Sequence, residues 1–289
     1  MMPEILLEIL HHGLIDSLVI LPFLFVTYLC MELLEHKAGE RVTRAVLRAG
    51  RMGPLWGGLL GLVPQCGFST MASGLFAGHL ITPGTLLAVF LATSDEMLPI
   101  FIGAAVPPVK ILTVLGIKLA VALICGFALD LCLRRRARDL RLHELCDEDG
   151  CHCENGILRS ALHHTLRIFL FVLIVNLALG AAFELVGEER IGTVLNDVPV
   201  LGTLAAALVG LVPNCAASVL IATLWTKGVL SGGAMLAGLL TGAGAGLLVL
   251  FRSNRHLREN LLLLGVLFAT GFLFGTIFDL TGLAGLLGL

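Results

Sequence analysis

The sequence predicts an all-α polytopic membrane protein built from two related halves. Three observations support this: an unusually apolar composition, apolar segments of membrane-spanning length, and one motif that occurs twice. The 289 residues are 57% hydrophobic and 14% charged, with a mean hydropathy of +0.96. Soluble domains carry about 25% charged residues, so this apolar surface needs lipid around it. The net charge of −2 excludes nucleic acid as a partner held by bulk positive charge.

Apolar segments follow one another along the whole chain. A spanning helix needs about 20 apolar residues, and six uninterrupted segments meet this length: 14–34, 84–103, 110–132, 162–186, 232–251 and 260–280. Two further segments, 54–80 and 199–226, are equally long but carry a proline and polar side chains near their middle. The polar segments between them are 35–53, 133–160, 187–198 and 252–259.

The two interrupted segments contain copies of one motif. Gly61–Ser69 reads Gly-Leu-Val-Pro-Gln-Cys-Gly-Phe-Ser, and Gly210–Ser218 reads Gly-Leu-Val-Pro-Asn-Cys-Ala-Ala-Ser. Leucine and valine match easily by chance in an apolar chain, whereas proline, cysteine and serine at one constant offset do not. The motif therefore predicts a tandem duplication, with a first membrane repeat at 1–132, a polar loop at 133–160 and a second membrane repeat at 161–289.

The distribution of Lys and Arg predicts the topology, because cytoplasmic loops carry an excess of these residues. Segments 35–53, 133–160 and 252–259 are basic, whereas 187–198 is acidic. If 54–80 crossed once, the first two basic segments would lie on opposite sides of the membrane. If it is a re-entrant hairpin broken at its proline, every basic segment lies inside.

Each half then has three spanning helices plus a broken re-entrant hairpin, which gives ten helical segments and two inverted repeats, as in many secondary transporters. Two kinked full-span helices with a parallel repeat are the alternative. The predicted location is the bacterial inner membrane, with the central loop in the cytoplasm.

The hairpin tips concentrate oxygen and sulfur atoms. Their prolines free backbone carbonyls, and the motif adds amide oxygens, thiols and hydroxyls, a donor set that suits a metal ion or a thiol-seeking metalloid. Small side chains that pack helices closely are the alternative explanation. The candidate residues at the tips are Gln65, Cys66, Ser69, Asn214, Cys215 and Ser218.

Asp95 and Glu96 lie in the middle of an otherwise apolar predicted span. Two adjacent carboxylates in hydrocarbon are costly unless they are paired, protonated or bound to a cation, so they indicate an ion or proton pathway. Carboxylate oxygens favour Mg, Ca and Mn, and an added sulfur shifts the preference toward softer metals. The second half carries Gly242–Gly246 at the matching place, which predicts close backbone approach there. A helix end at Asp95 is the alternative.

Lys118 lies inside the predicted span 110–132, whose first residue is Lys110. It is either the counter-charge for Asp95 or Glu96, or a side chain that snorkels to the membrane interface. Asp130 and Asp279 lie near segment ends, where an interfacial role is expected.

The central loop carries soft-metal ligands. Its Cys and His residues form a metal-capturing or sensing loop, or else a solvated acidic loop without the spacing of a standard zinc ribbon. The candidate ligands are His143, Cys146, Cys151, His152 and Cys153.

On Gly61–Ser69, Thr93–Glu96 and Gly210–Ser218, the chain resembles the bacterial permease family of ten-segment heavy-metal exporters. Its members are labelled arsenic efflux proteins or manganese transporters. Counting each hairpin arm separately gives the ten segments of that family. The resemblance implies export of a metal or metalloid.

The expected function is secondary-type export of a metal ion, with manganese or a similar divalent cation first and an arsenite or organoarsenical efflux permease second. A metal-responsive membrane sensor or an intramembrane enzyme is the rival of another class. A nucleotide-binding P-loop motif is absent from the sequence, so an ion gradient, the membrane potential or a partner protein is expected to supply the energy, with a proton as the candidate coupling ion. The expected partners are the bilayer, the metal ion as substrate and a second copy in a homo-oligomer. No cofactor, nucleic-acid partner or enzymatic activity is expected.

Overall fold

The fold was examined in a computed structural model, which describes residues 52–63, 67–94, 97–133 and 199–282, with scattered residues between 18 and 29 and between 158 and 177. All regular secondary structure in these ranges is helical. The helices of the first half are α1 (Gly53–Gly61), α2 (Gly67–Ala77), α3 (Pro83–Ala92), α4 (Met97–Gly103) and α5 (Pro108–Leu133). Those of the second half are α6 (Pro199–Gly210), α7 (Cys215–Thr226), α8 (Gly232–Thr241), α9 (Gly246–Ser253) and α10 (Leu257–Leu280).

The second set of five helices repeats the order and approximate lengths of the first. The same carboxylate cap recurs in both sets. Asp130 on α5 accepts hydrogen bonds from the Gly84 backbone N–H (2.8 Å) and from Thr82 Oγ1 (2.7 Å) at the start of α3. The carboxylate satisfies a backbone donor that the helix itself cannot pair and adds negative charge at the positive end of its dipole.

Asp279 on α10 makes the equivalent bonds at the start of α8, to the Gly233 N–H (2.9 Å) and Ser231 Oγ (2.8 Å). Every residue of this second cap lies 149 positions after its counterpart in the first. The two aspartates expected at an interface therefore have a defined structural role, as caps for the first turn of a neighbouring helix.

Glycines bring the long outer helices close to the inner ones. A Cβ on Gly126 of α5 would lie 2.8 Å from the Gly84 carbonyl oxygen, and a Cβ on Gly275 of α10 would lie 2.5 Å from the Gly233 carbonyl oxygen. Both distances are shorter than a real Cβ contact, so only glycine fits without moving a backbone. Small residues at such crossings are typical of helix packing in membranes, where close van der Waals contact drives association.

Four helical segments of the described ranges are long and apolar enough to cross a bilayer: Pro83–Gly103, Pro108–Leu133, Gly232–Ser253 and Leu257–Leu280. By length and composition, these confirm four of the six spans that the sequence predicts. The predicted spans 14–34 and 162–186 lie largely outside the described residues.

The inner and outer spans differ in their surroundings. The two inner spans are 69% and 94% buried inside the protein, whereas the two outer ones are only 28% buried. Large apolar side chains such as Leu112, Ile124 and Leu273 project from the outer helices. The inner spans therefore form the centre, and α5 and α10 supply the apolar surface that lipid covers.

Neither inner span is a continuous helix, which corrects the expectation of unbroken segments at 84–103 and 232–251. Helix α3 ends at Ala92 and α4 begins at Met97, while α8 ends at Thr241 and α9 begins at Gly246. Gly244 adopts a left-handed conformation (φ 54°) in the second break, a conformation that glycine reaches without steric cost.

The two interrupted segments are each split at their motif. Helices α1 and α2 are separated by residues 62–66, and α6 and α7 by residues 211–214. With 9 to 12 residues each and a rise of about 1.5 Å per residue, these helices reach only about 14–18 Å. That is roughly half the thickness of the hydrocarbon core.

The two sets of helices are interleaved at the centre. Helix α2 packs along α9, and its counterpart α7 packs along α4. The Phe101 ring of α4 lies 4.8 Å, centre to centre, from the Trp225 ring of α7. Both buried hydrophobic clusters mix the two sets, because one joins α3 to α10 and the other joins α4 to α7 and α8.

Candidate functional site

Five of the candidate residues lie in the described ranges: Ser69, Lys118, Asn214, Cys215 and Ser218. The others lie outside them, namely Gln65, Cys66, Asp95, Glu96, His143, Cys146, Cys151, His152 and Cys153. In sequence, Asp95 and Glu96 follow the buried residues Thr93 and Ser94 and precede α4.

Lys118 is fully buried on α5 and faces the interior. Its Nζ donates to the carbonyl oxygen of Thr93, at the end of α3, and to that of Leu239 (2.7 Å), in the last turn of α8. The ammonium group therefore joins the two broken spans at their breaks. A side chain that extends to the membrane interface would be neither buried nor bonded in this way, so the snorkelling alternative is wrong.

The two helices that Lys118 joins both present their C-terminal ends to it. The last carbonyls of a helix lack intrahelical partners and carry the negative end of the helix dipole. The end of α3 lies at Thr93, and the end of α8 lies at Gly242. Two such ends around one buried point create a region that favours positive charge, and Lys118 supplies it.

Ser69 lies against the start of α9. A Cβ built on Gly246 would stand 2.8 Å from the Ser69 backbone and from its Cβ, so the two chains approach as closely as glycine permits. Ser73, one turn further along α2, donates its hydroxyl to the Gly246 carbonyl oxygen at 2.7 Å and to the Ser69 carbonyl oxygen at 2.9 Å. The close backbone approach that the glycine run predicts is therefore present at Gly246.

Ser218 and Asn214 belong to the second copy of the motif. Ser218 Oγ lies 3.6 Å from the position of a Cβ on Gly242, next to the second break. Asn214 is the N-cap of α7, and its Oδ1 accepts the backbone N–H of Ala216 at 3.1 Å. Asn214 thus orders the start of this helix, a preferred role for asparagine. Its predicted role as a ligand stays a prediction.

Cys215 is the first residue of α7 and is buried. Its repeat partner Cys66 lies immediately before α2 in sequence.

The structure brings together some of these residues and adds others. Ser69 and Ser218 both lie beside the Gly242–Gly246 break, and Lys118 joins the ends of α3 and α8. Sequence reasoning missed the carbonyl groups of Thr93 and Leu239 and the hydroxyl of Ser73. Ser73 had a detectable signal, because it follows Ser69 by four residues and thus shares its helix face. Backbone carbonyls leave no such signal.

The described ranges contain no group of three or more His, Cys, Asp or Glu side chains that would hold a metal. Their contribution to the centre is backbone carbonyls, hydroxyls, one thiol and one ammonium group. Unwound carbonyls and helix C-terminal ends at mid-membrane depth are the features that coordinate cations in transporters with broken helices.

Comparison with known families gives one match. Residues 4–185, more than half of the chain, match the model of the ArsP_2 family, which is described as "Putative, 10TM heavy-metal exporter". No curated protein and no solved structure matches the chain. The match includes the first motif, the Thr93–Glu96 segment and Lys118, and the described helices include four of spanning length. The chain is a multi-pass membrane protein that belongs to this family of heavy-metal exporters.

Proposed function

We propose that the chain is a secondary-type exporter of a divalent metal ion, with manganese or a similar cation as its cargo and protons as the exchanged ion. The observation that carries this proposal is the position of Lys118. Its ammonium group lies buried between the ends of α3 and α8, next in sequence to the two carboxylates of Asp95 and Glu96. A centre that already holds one cation is suited to exchange it for another.

In this mechanism Asp95 and Glu96 bind the metal ion or exchange it for protons. Gln65, Cys66, Asn214 and Cys215 complete the coordination from the two motif tips, and Ser69 and Ser218 line the site. Lys118 is the counter-charge that neutralises the carboxylates when no metal is bound. Oxygen ligands outnumber sulfur in this set, which favours Mn over softer metals.

We further propose inverted repeats with re-entrant hairpins. Two contacts support this topology. His79, after α2, contacts His256 in the basic segment before α10, with ring centres 6.2 Å apart. Phe101 and Trp225 contact each other at another pair of helix ends. If segments 54–80 and 199–226 each crossed the membrane once, both contacts would join residues assigned to opposite sides.

Residues 79 and 228 provide a direct test of this topology. They are 149 positions apart and end equivalent helices, with Gly228 after α7. Inverted repeats place them on opposite sides of the membrane, whereas a parallel repeat places them on the same side. Single cysteines at the two positions, labelled in whole cells with a membrane-impermeant thiol reagent, should react only at 228. Labelling at both positions, or at neither, would exclude the inverted arrangement.

Arsenite or an organoarsenical is the second candidate cargo, supported by the buried Cys215 at the start of α7. Reconstituted protein should be assayed with manganese and arsenite in parallel, comparing Asp95→Asn with Cys215→Ser. Loss of manganese flux in Asp95→Asn, with flux kept in Cys215→Ser, supports the divalent cation. Arsenite flux that depends on Cys215 and not on Asp95 would assign the metalloid instead.

A metal sensor or an intramembrane enzyme is the rival of another class, and the central loop separates the sensor from the transporter. A protein lacking residues 143–154 should still carry its cargo, because the proposed site lies among the membrane helices. Loss of all metal response with that deletion, in a protein that transports nothing, would support the sensor.

A further inference from the structure

A pair of imidazoles lies outside the central site. His79 follows α2, and His256 precedes α10, so the two residues come from different halves of the chain. Their ring centres are 6.2 Å apart and their planes are inclined by 63°. His79 is partly exposed and His256 is exposed, which leaves the pair within reach of ions in the adjoining water.

His256 is oriented by a buried amide network. Its Nδ1 lies 3.3 Å from Asn254 Oδ1, which also accepts the His256 backbone N–H at 3.1 Å. Asn254 is buried and donates from Nδ2 to Asn260 Oδ1 at 2.8 Å, and Asn260 Nδ2 donates back to the Asn254 carbonyl oxygen at 2.9 Å.

This network sets the tautomer of the His256 ring. Asn254 Oδ1 only accepts hydrogen bonds, because Nδ2 of the same amide is the donor toward Asn260. The proton of the neutral His256 ring is therefore on Nδ1, and the lone pair is on Nε2. Metal-binding histidines are oriented in the same way, by a hydrogen bond from the nitrogen that does not bind the metal.

His79 is held by the turn that ends α2. Its backbone N–H donates to the Phe76 carbonyl oxygen at 2.9 Å. The backbone N–H of Leu80 donates to the Leu75 carbonyl oxygen at 2.9 Å. The residue adopts a left-handed conformation with φ 55°. At the equivalent position of the second half, Gly228 adopts φ 73° in the same kind of turn. The chain thus carries an imidazole where its own repeat carries glycine.

The spacing of the rings is close to that required by one shared metal ion. Two imidazole nitrogens on a tetrahedral metal at about 2.0–2.1 Å place the ring centres roughly 5 Å apart. The observed separation of 6.2 Å exceeds this by about 1 Å, which a small movement of these solvent-accessible side chains closes. Imidazole nitrogen suits Zn, Cu, Fe and Ni rather than Mg or Ca. The neighbouring Arg252, Arg255 and Arg258 are exposed, so water and salt screen their charge.

We propose that His79 and His256 form a two-imidazole binding site for a divalent transition metal of the zinc type, with water completing the coordination. The site spans the two halves at the membrane face where segment 252–259 lies. Its existence does not depend on transport. Its role as a loading site for exported metal rests on the proposed function. Only the inverted topology proposed there puts this membrane face in the cytoplasm.

The test uses Zn²⁺ as the probe and the full-length protein in detergent. Histidines are modified with diethyl pyrocarbonate, and the products are mapped by mass spectrometry with and without Zn²⁺. We expect Zn²⁺ to protect His79 and His256 together while leaving His163, an exposed histidine elsewhere, reactive.

The variants His79→Gly and His256→Gln each remove one ligand. His79→Gly installs the residue that the repeat carries at Gly228, so the fold is retained and the melting temperature should equal or exceed that of the wild type. Protection of the remaining histidine should disappear in each variant. Calorimetry should find that each variant binds one Zn²⁺ per chain fewer than the wild type does.

Three results would overturn the proposal. They are equal reactivity of the two histidines with and without Zn²⁺, protection of His256 that persists in His79→Gly, and protection by inorganic phosphate in place of Zn²⁺. None of these depends on flux. A protein that carries no manganese but shows linked Zn²⁺ protection would retain this site while losing the proposed function.

Discussion

The two halves of the chain share a scaffold. Both place an aspartate near the end of the last helix, Asp130 and Asp279, where it caps the third helix of the same half. Both use glycines on that last helix, Gly126 and Gly275, to bring it against the inner span. Both inner spans are broken after about ten residues. These features fix the positions of the helix backbones. Each recurs 149 residues later in the second half.

The halves differ where charge is concerned. The first break carries Asp95 and Glu96, whereas the second carries glycine and alanine at the matching positions 244 and 245. Lys118 on α5 corresponds to Leu267 on α10, and both side chains are fully buried. The duplicated architecture therefore provides two broken helices, while the carboxylates and the lysine of the proposed site come from the first half alone. Cation binding in this account is asymmetric, with the second half contributing backbone and small side chains.

Replacing Lys118 by leucine, the residue of its counterpart, should have the largest effect on stability. The change leaves the Thr93 and Leu239 carbonyl oxygens without their buried donor and removes the counter-charge of the proposed site. We expect a loss of about 2–6 kcal/mol, because each of the two buried carbonyl oxygens left without a donor costs about 1–3 kcal/mol. The melting temperature in detergent measures it. Leu267→Met, a change of similar volume at the matching position, should cost less than about 1.5 kcal/mol.

The glycine crossings should respond equally in the two halves. Gly126→Ala and Gly275→Ala each push a Cβ against a backbone carbonyl, with an expected cost of about 1–3 kcal/mol. Gly116→Ala and Gly265→Ala are matched controls on the same two helices, because a Cβ there meets nothing within 4 Å. The controls should be neutral or should gain up to about 1 kcal/mol in helix propensity. If the control variants lost as much melting temperature as the two crossing variants, the result would contradict the proposed packing.

The carboxylate caps should show the smallest effect. Asp130→Asn and Asp279→Asn preserve shape but weaken the charge-assisted bonds at the starts of α3 and α8. Each should lower stability by about 1–2 kcal/mol, and by similar amounts. The melting temperatures of the two variants in detergent, each compared with the wild type, measure these losses. A loss of stability in only one variant would mean that the equivalent hydrogen bonds contribute differently to the free energy of unfolding in the two halves.

Composition and apolar segment lengths were sufficient to predict the helical membrane fold, whereas the family was predicted from the resemblance of three motif segments. Apolar segments of spanning length are a strong local signal, and four of them were confirmed. The motif prolines predicted the interruptions at 62–66 and 211–214. The breaks within the inner spans were not predicted as breaks, because neither contains a proline. The polarity of residues 93–96 is compatible both with polar positions on a continuous helix and with a helix end, and the sequence alone does not separate the two.

The candidate site was predictable where it depends on side chains that are costly in lipid. Lys118 was selected on that ground, and its burial agrees with a role inside the protein. Its partners were not predictable, since they are backbone carbonyls whose exposure depends on where α3 and α8 end. The approach of Ser69 to Gly246 joins residues far apart in sequence, and only the interleaving of α2 with α9 brings them together. The cargo, the coupling ion and the bounds of the repeats remain predictions.

The most direct test of the central claim is manganese flux in proteoliposomes, comparing the wild type with Asp95→Asn/Glu96→Gln. Ala243→Ser serves as the control, because it adds to the second break the hydroxyl that Ser94 supplies to the first and changes no charge. The account predicts manganese movement in the wild type and in the control, and its loss in the double variant. Manganese movement that is unchanged without the two carboxylates would contradict a cation site built on the charges of the first half.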